Sequence, residues 1–124
     1  MQNDRLKFKK EFKSRLYKFV LRLIKFISTL NIKDPVVRVI IDQLSRSGCS
    51  ILSNYIEGQS SSSRKEFTVF FGYSLKSANE SKVWLSILKD SNKCAKNEAS
   101  YLLSELDEIS KVFASSILTL KGRK

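Results

Sequence analysis

LKFKKEFKSRLYKFVLRLIKFISTL, residues 6–30, decides the fold. Phe12, Leu16, Phe19, Leu23, Phe26 and Leu30 recur at alternating steps of four and three, which lays one apolar stripe along a helix expected over about residues 6–28. Arg15, Lys18, Arg22 and Lys25 gather on another face of the same helix. The stripe needs other helices to cover it, whereas the cations call for water or an anionic partner.

Working outward, the same period returns three times. Asn31 to Asp34 breaks the first helix, with Asp34 as N-cap and Pro35 at the first helical position, where its missing N–H is harmless. A second helix over 35–57 turns Val37, Ile40, Ile41, Leu44, Ile51 and Leu52 inward. Its middle, Ser45, Ser47, Gly48, Cys49 and Ser50, is small enough for another helix to approach closely, and Gly58 is expected as a left-handed stop.

After the polar linker Gln59 to Ser62, Ser63 and Glu66 form a capping box for a third helix over 64–89. Phe67, Phe70 and Phe71 open that helix, Trp84, Leu85 and Leu88 close it, and Ser74, Ser77, Ala78 and Ser81 keep its centre thin. Asp90 to Lys96 leads into a fourth helix over 97–121. Its seam is Leu102, Leu106, Ile109, Phe113, Ile117 and Leu120, with Glu105 and Glu108 on the exposed side and Gly122 as the stop. Short turns force neighbouring helices to run in opposite directions. The expected fold is therefore all-α, an antiparallel up-down-up-down four-helix bundle forming one domain over residues 1–124.

Composition narrows the function. With 124 residues, 42% hydrophobic and 28% charged, the chain is long enough for a single modest core. It has no histidine, so the commonest general base and the usual Cys/His zinc sites are missing. Cys49 and Cys94 lie far apart and read as reduced, buried thiols of a cytoplasmic protein. Ser62 to Lys65 matches Ser-x-x-Lys without its partner motifs, no glycine-rich phosphate loop exists, and Glu105, Asp107 and Glu108 read as a solvated helix face. The expectation is a protein with no enzymatic activity, no metal and no cofactor. Arg22 and Lys25 interrupt the apolar run near the N-terminus, and no uncharged stretch approaches the roughly 18 residues of a membrane span.

Net charge is +11, and all of it sits at the two ends. Residues 1–33 carry ten Lys or Arg against Asp4 and Glu11, and Lys121, Arg123 and Lys124 supply the remainder, while residues 34–120 balance. An antiparallel bundle brings Arg5, Lys7, Lys9, Lys10 and Lys13 to the same pole as that tail. One cationic cap then continues down the first helix, a surface suited to a polyanion. Tyr17, between Arg15 and Lys18, is placed to stack on an unpaired base.

Arg46, Ser50, Asn54 and Glu57 repeat at helical spacing on the second helix, and with Glu66 and Glu80 they are read as a structural polar network. Several of these residues also carry a resemblance. Gln43 to Gly58, QLSRSGCSILSNYIEG, followed by SRKEF at 63–67, resembles the four-helix-bundle proteins encoded in bacterial 23S rRNA intervening sequences. The matching positions are Arg46, Ser50, Ile51, Ser53, Asn54, Glu57, Gly58, Lys65, Glu66, Phe67, Ser77 and Glu80. Ser45, Ile56 and Lys76 stand where that family usually carries arginine, alanine and glycine. The resemblance implies a homo-oligomer, often a pentameric ring. A related group serves as accessory proteins to the reverse transcriptases of diversity-generating retroelements, binding nucleic acid and the polymerase through a basic surface.

The expected function is electrostatic binding of RNA or DNA by Arg15, Lys18, Arg22, Lys25, Lys9, Lys10, Lys13, Lys121, Arg123 and Lys124, as an accessory in an RNA-processing or reverse-transcription complex. The main rival is a protein-interaction scaffold without nucleic acid. A membrane-surface helix is the weaker alternative, because the bundle core needs the apolar face of the first helix. Self-association is expected from Phe8, Tyr17, Leu21, Ile24, Phe71, Tyr73 and Trp84, which exceed what one bundle seam can bury.

Overall fold

A computed structural model describes residues 2–122, with Gln2 and Arg5 described by their backbone alone. Four helices follow one another: α1 Gln2–Ile27, α2 Pro35–Gln59, α3 Arg64–Asp90 and α4 Lys96–Leu120, with no strand among the described residues. Cross-helix pairs fix their directions. Arg15 meets Glu105 and Arg22 meets Glu98, so numbers rise along α1 as they fall along α4. Ser74 meets Ile51 and Ser81 meets Ser47, which makes α3 antiparallel to α2. The result is an antiparallel four-helix bundle.

The first-helix seam is the core. Phe12, Leu16, Phe19, Leu23, Phe26 and Leu30 are all buried, as are Leu102, Leu106, Ile109 and Phe113 on α4. Each large side chain taken from water contributes roughly 1.5–3 kcal/mol, so this continuous cluster dominates folding. Packing is most intimate between α2 and α3 and lightest between α1 and α4. Small residues explain the first of these seams: buried Ser81 donates to Ser47 Oγ at 2.8 Å, and buried Ser74 donates to the Ile51 carbonyl at 2.9 Å. Gly48 serves the opposite side of α2, where a Cβ would collide with Leu23 Cδ2 on α1.

Helix ends follow the local chemistry with two differences. Asp34 accepts from the N–H groups of Val36 and Val37 with Pro35 at the first position, and Ser63 accepts from Glu66 N at 3.0 Å. Glu66 returns a bond to the N–H of Ser62, one residue earlier than the usual capping box. Gly122, at φ 74, is the left-handed stop after α4. Gly58 is not such a stop. It is buried inside α2, which runs on to Gln59 and is capped by Ser60 at φ −89. A Cβ there would lie 3.1 Å from Phe70 Cβ, so the glycine admits α3 and does not end a helix. The left-handed residue at the end of α3 is Asn92, at φ 59.

Burial corrects two further expectations. Cys49 is exposed and Cys94 half-buried, both as free thiols. Ser47 and Gly48 take the inward direction on α2, and the 100° step per residue carries Cys49 outward. Phe71 is not available for self-association, because it lies in the core against Phe113, and Trp84 is half-buried. Phe8, Tyr17, Leu21, Ile24 and Tyr73 remain exposed.

Candidate nucleic-acid interface

The start of α1, the end of α2, the start of α3 and the end of α4 share one pole, where Asp4, Tyr55, Arg64 and Leu120 line a common cleft. Lys9, Lys10, Lys13 and Lys121 are exposed in this half of the bundle. Arg123 and Lys124, and the Arg5 side chain, lie outside the described residues. Arg64 lies beside this pole and donates from Nε to the Leu120 carbonyl at 3.0 Å and from Nη2 to the Thr119 carbonyl at 3.4 Å. It thereby satisfies the last carbonyls of α4, where a cation also suits the helix dipole. Its helical position gave no hint of this role.

The stripe on α1 divides into two kinds of cation. Arg15 donates from Nε and Nη2 to both Glu105 oxygens, at 2.7 and 2.9 Å. Arg22 does the same to Glu98, at 2.6 and 3.0 Å, and its guanidinium lies 3.5 Å from the centre of the Tyr101 ring. These hydrogen bonds hold the Glu105 and Glu98 carboxyls below the usual carboxylate range and raise both arginines further. Arg15 and Arg22 are thus each paired with a carboxylate of α4, which offsets their charge. Their side of α1 faces α4, and Glu105, expected on an exposed surface, is half-buried beneath Arg15.

Lys18 and Lys25 point outward, as do Lys10 and Lys13. None of these four lysines takes part in an ion pair among the described residues, although Lys25 adds a weak Coulombic pull on Glu98. Lys10, Lys13 and the exposed ring of Tyr17 line a shallow groove against Leu52 and Ile56 of α2.

The polar positions of α2 and α3 do not join into one network. Arg46 pairs at 3.3 Å with Asp42 on its own helix, and Asn54 donates to the Ser50 carbonyl at 2.9 Å. Glu66 caps α3, Glu80 accepts from Trp84 Nε1 at 3.3 Å, and Glu57 is exposed. Each bond is local because these residues lie on or near the outer faces, where the small-residue seam between α2 and α3 does not reach them. At the other pole Lys93 reaches Asp34 at 2.6 Å, and with the two amide bonds at that cap it lowers the Asp34 pKa. No group of three Cys, Asp or Glu among the described residues could hold a metal ion, and no helix there is long and apolar enough to cross a membrane.

An antiparallel bundle with a thin α2–α3 seam and a basic α1 defines a class, and comparison with known proteins gives it a family. Residues 9–115 match the family profile described as 23S rRNA-intervening sequence protein, and the chain belongs to that family. A crystal structure of a protein with unknown function from the S23 ribosomal protein family of Bacteroides thetaiotaomicron is similar, with a TM-score of 0.79 and 27% identity. The likeness covers 86% of this chain and 97% of that one. No curated protein matches.

Proposed function

We propose that this chain is a non-catalytic, self-associating bundle that captures RNA or DNA electrostatically, as an accessory in an RNA-processing or reverse-transcription complex. The contacts fall to Lys10, Lys13, Lys18 and Lys25 of α1, joined by Lys9 and Lys121. The observation that carries this reading is the division of labour on α1: its two mid-helix arginines bind glutamates of α4, whereas Lys10, Lys13, Lys18 and Lys25 face solvent and form no ion pair among the described residues. Each phosphate that a lysine neutralises releases condensed counterions, so binding is salt-sensitive and needs no base reading. Repetition of the surface in an oligomer multiplies weak contacts.

A titration with structured RNA and duplex DNA at several salt concentrations tests the proposal, repeated with Lys10, Lys13, Lys18 and Lys25 changed to Glu. Binding at low salt that disappears in the variant is expected. Unchanged affinity, or no binding by the parent chain, rejects it.

A second reading as a protein-interaction scaffold draws support from α3. Val69 and Tyr73 near its start and Val83 and Ile87 near its end are exposed on one outer face, two apolar patches with Lys76 and Glu80 between them. The scaffold reading predicts a complex with protein that survives high salt.

A further inference from the structure

Where the four helices converge at the cationic pole, a cleft of about 720 Å³ opens to solvent, within the roughly 300–1,000 Å³ of small-ligand pockets. Aromatic rings form much of its wall: Phe8 and Phe12 from α1, Tyr55 from α2, Phe67 and Phe71 from α3. Phe8 and Phe12 lie within 6° of parallel, and Phe8 is half-exposed. Polar groups interrupt the rings. The Tyr55 hydroxyl donates a long 3.5 Å bond to the Lys9 carbonyl and interacts with the Gln59 side chain, and both line the cleft beside the hydroxyls of Ser115 and Ser116. Lys9 and Arg64 carry its positive charge, against one carboxylate, Asp4.

We propose that this cleft receives an unpaired nucleobase of a bound single strand, stacked on Phe8, with its phosphates held by Lys9 and Arg64. The inference rests on the nucleic-acid reading above and adds to it a preference for unpaired over paired strands. Flat aromatic walls match a π-system, which stacks with little regard to sequence. The hydroxyls of Ser115 and Ser116 suit a base edge, whereas a hydrocarbon chain would offer them no partner. The cations set the sign of the guest, and Arg64 keeps N–H donors beyond the two it gives to α4. A blunt duplex keeps its bases stacked and has none to insert.

The test uses the full chain and a single-stranded oligonucleotide containing 2-aminopurine, beside a blunt duplex of the same sequence. Wild-type protein is expected to bind the single strand more tightly and to quench the probe. Phe8→Ala should weaken single-strand binding about tenfold, relieve the quench and leave duplex affinity within about twofold. Phe8 is half-exposed, so its truncation spares the core; Ser116→Trp, which fills the cleft while leaving its ring residues in place, should likewise weaken single-strand binding. Equal affinity for the two forms, with no effect of either variant, overturns the cleft while leaving the lysine surface standing. No binding of either form removes both. Saturable binding of palmitate without any quench of the base probe reassigns the cleft to a lipid and overturns the proposal.

Discussion

Arg15 and Glu105, 90 positions apart in the chain, face each other through two parallel hydrogen bonds of 2.7 and 2.9 Å. This fork joins the most lightly packed pair of neighbouring helices, α1 and α4. A bidentate, partly buried pair is among the few ion pairs that measurably stabilise a fold.

Glu105→Gln should lower stability by about 1 kcal/mol, a figure held down by solvent screening because the Arg15 side chain is 40% exposed. The folded Glu105 carboxyl is held below its ordinary value of about 4.3, so its contribution is full above that pH and is lost as pH falls through the folded value. Glu98 and Asp34 shift the same way. Urea denaturation across the acid range should show stability falling below about pH 4.3, and less steeply in the Gln variant.

Gly48→Ala should destabilise the bundle by about 1 kcal/mol, since displacing the buried Leu23 methyl outweighs the gain in helix propensity. With Leu23 already changed to Ala the clash is gone and the same substitution should stabilise. A double-mutant cycle reads this reversal of sign.

Ser110 is buried, and its hydroxyl has no hydrogen-bond partner among the described residues. Ser110→Ala removes an unsatisfied polar atom and improves helix propensity, so a gain of about 1 kcal/mol in chemical denaturation is expected. A loss of that size would mean that the hydroxyl is satisfied in solution.

Cys49 should react quickly with a thiol reagent such as DTNB at pH 8 and Cys94 slowly. The first is exposed, whereas burial raises the pKa of the second despite nearby Lys96 and Lys89. Two equal rates would contradict the outward placement of Cys49.

If the lysines of α1 bind phosphates, replacing Lys10, Lys13, Lys18 and Lys25 by Ala should reduce the slope of log affinity against log salt by about 3 on single strands. Arg15→Ala should leave that slope unchanged while lowering stability. Equal effects on the slope would place the arginine in the interface after all.

Much of the fold is legible in periodicity and caps. Five seam residues of α1 with Leu30 just beyond it, the Asp34–Pro35 entry and the Ser63 cap stand where their spacing puts them, because each depends on neighbours within one or two turns. Gly58 shows the limit. A glycine near a helix end serves equally as a stop or as a gap for a neighbour, and only the position of Phe70 tells which. The candidate interface was half legible: helical spacing groups Arg15, Lys18, Arg22 and Lys25, yet it cannot say that two of them stand level with glutamates on α4. Spacing alone joins Arg46 to Glu80 for want of the same information, the height of one helix against another. The pole cleft left a signal in the aromatic residues around the end of α2 and the start of α3, visible only once the helix directions are known.

Arg15 and Arg22 stand seven residues apart, and so do Glu98 and Glu105. Sliding α1 past α4 by one heptad would match a single rung and strand the other cation. The ladder therefore works like a two-pin key. Only one vertical alignment fits both pins, so charge adds its own selection to the ring packing of Phe12 on Phe113 in the loosest seam.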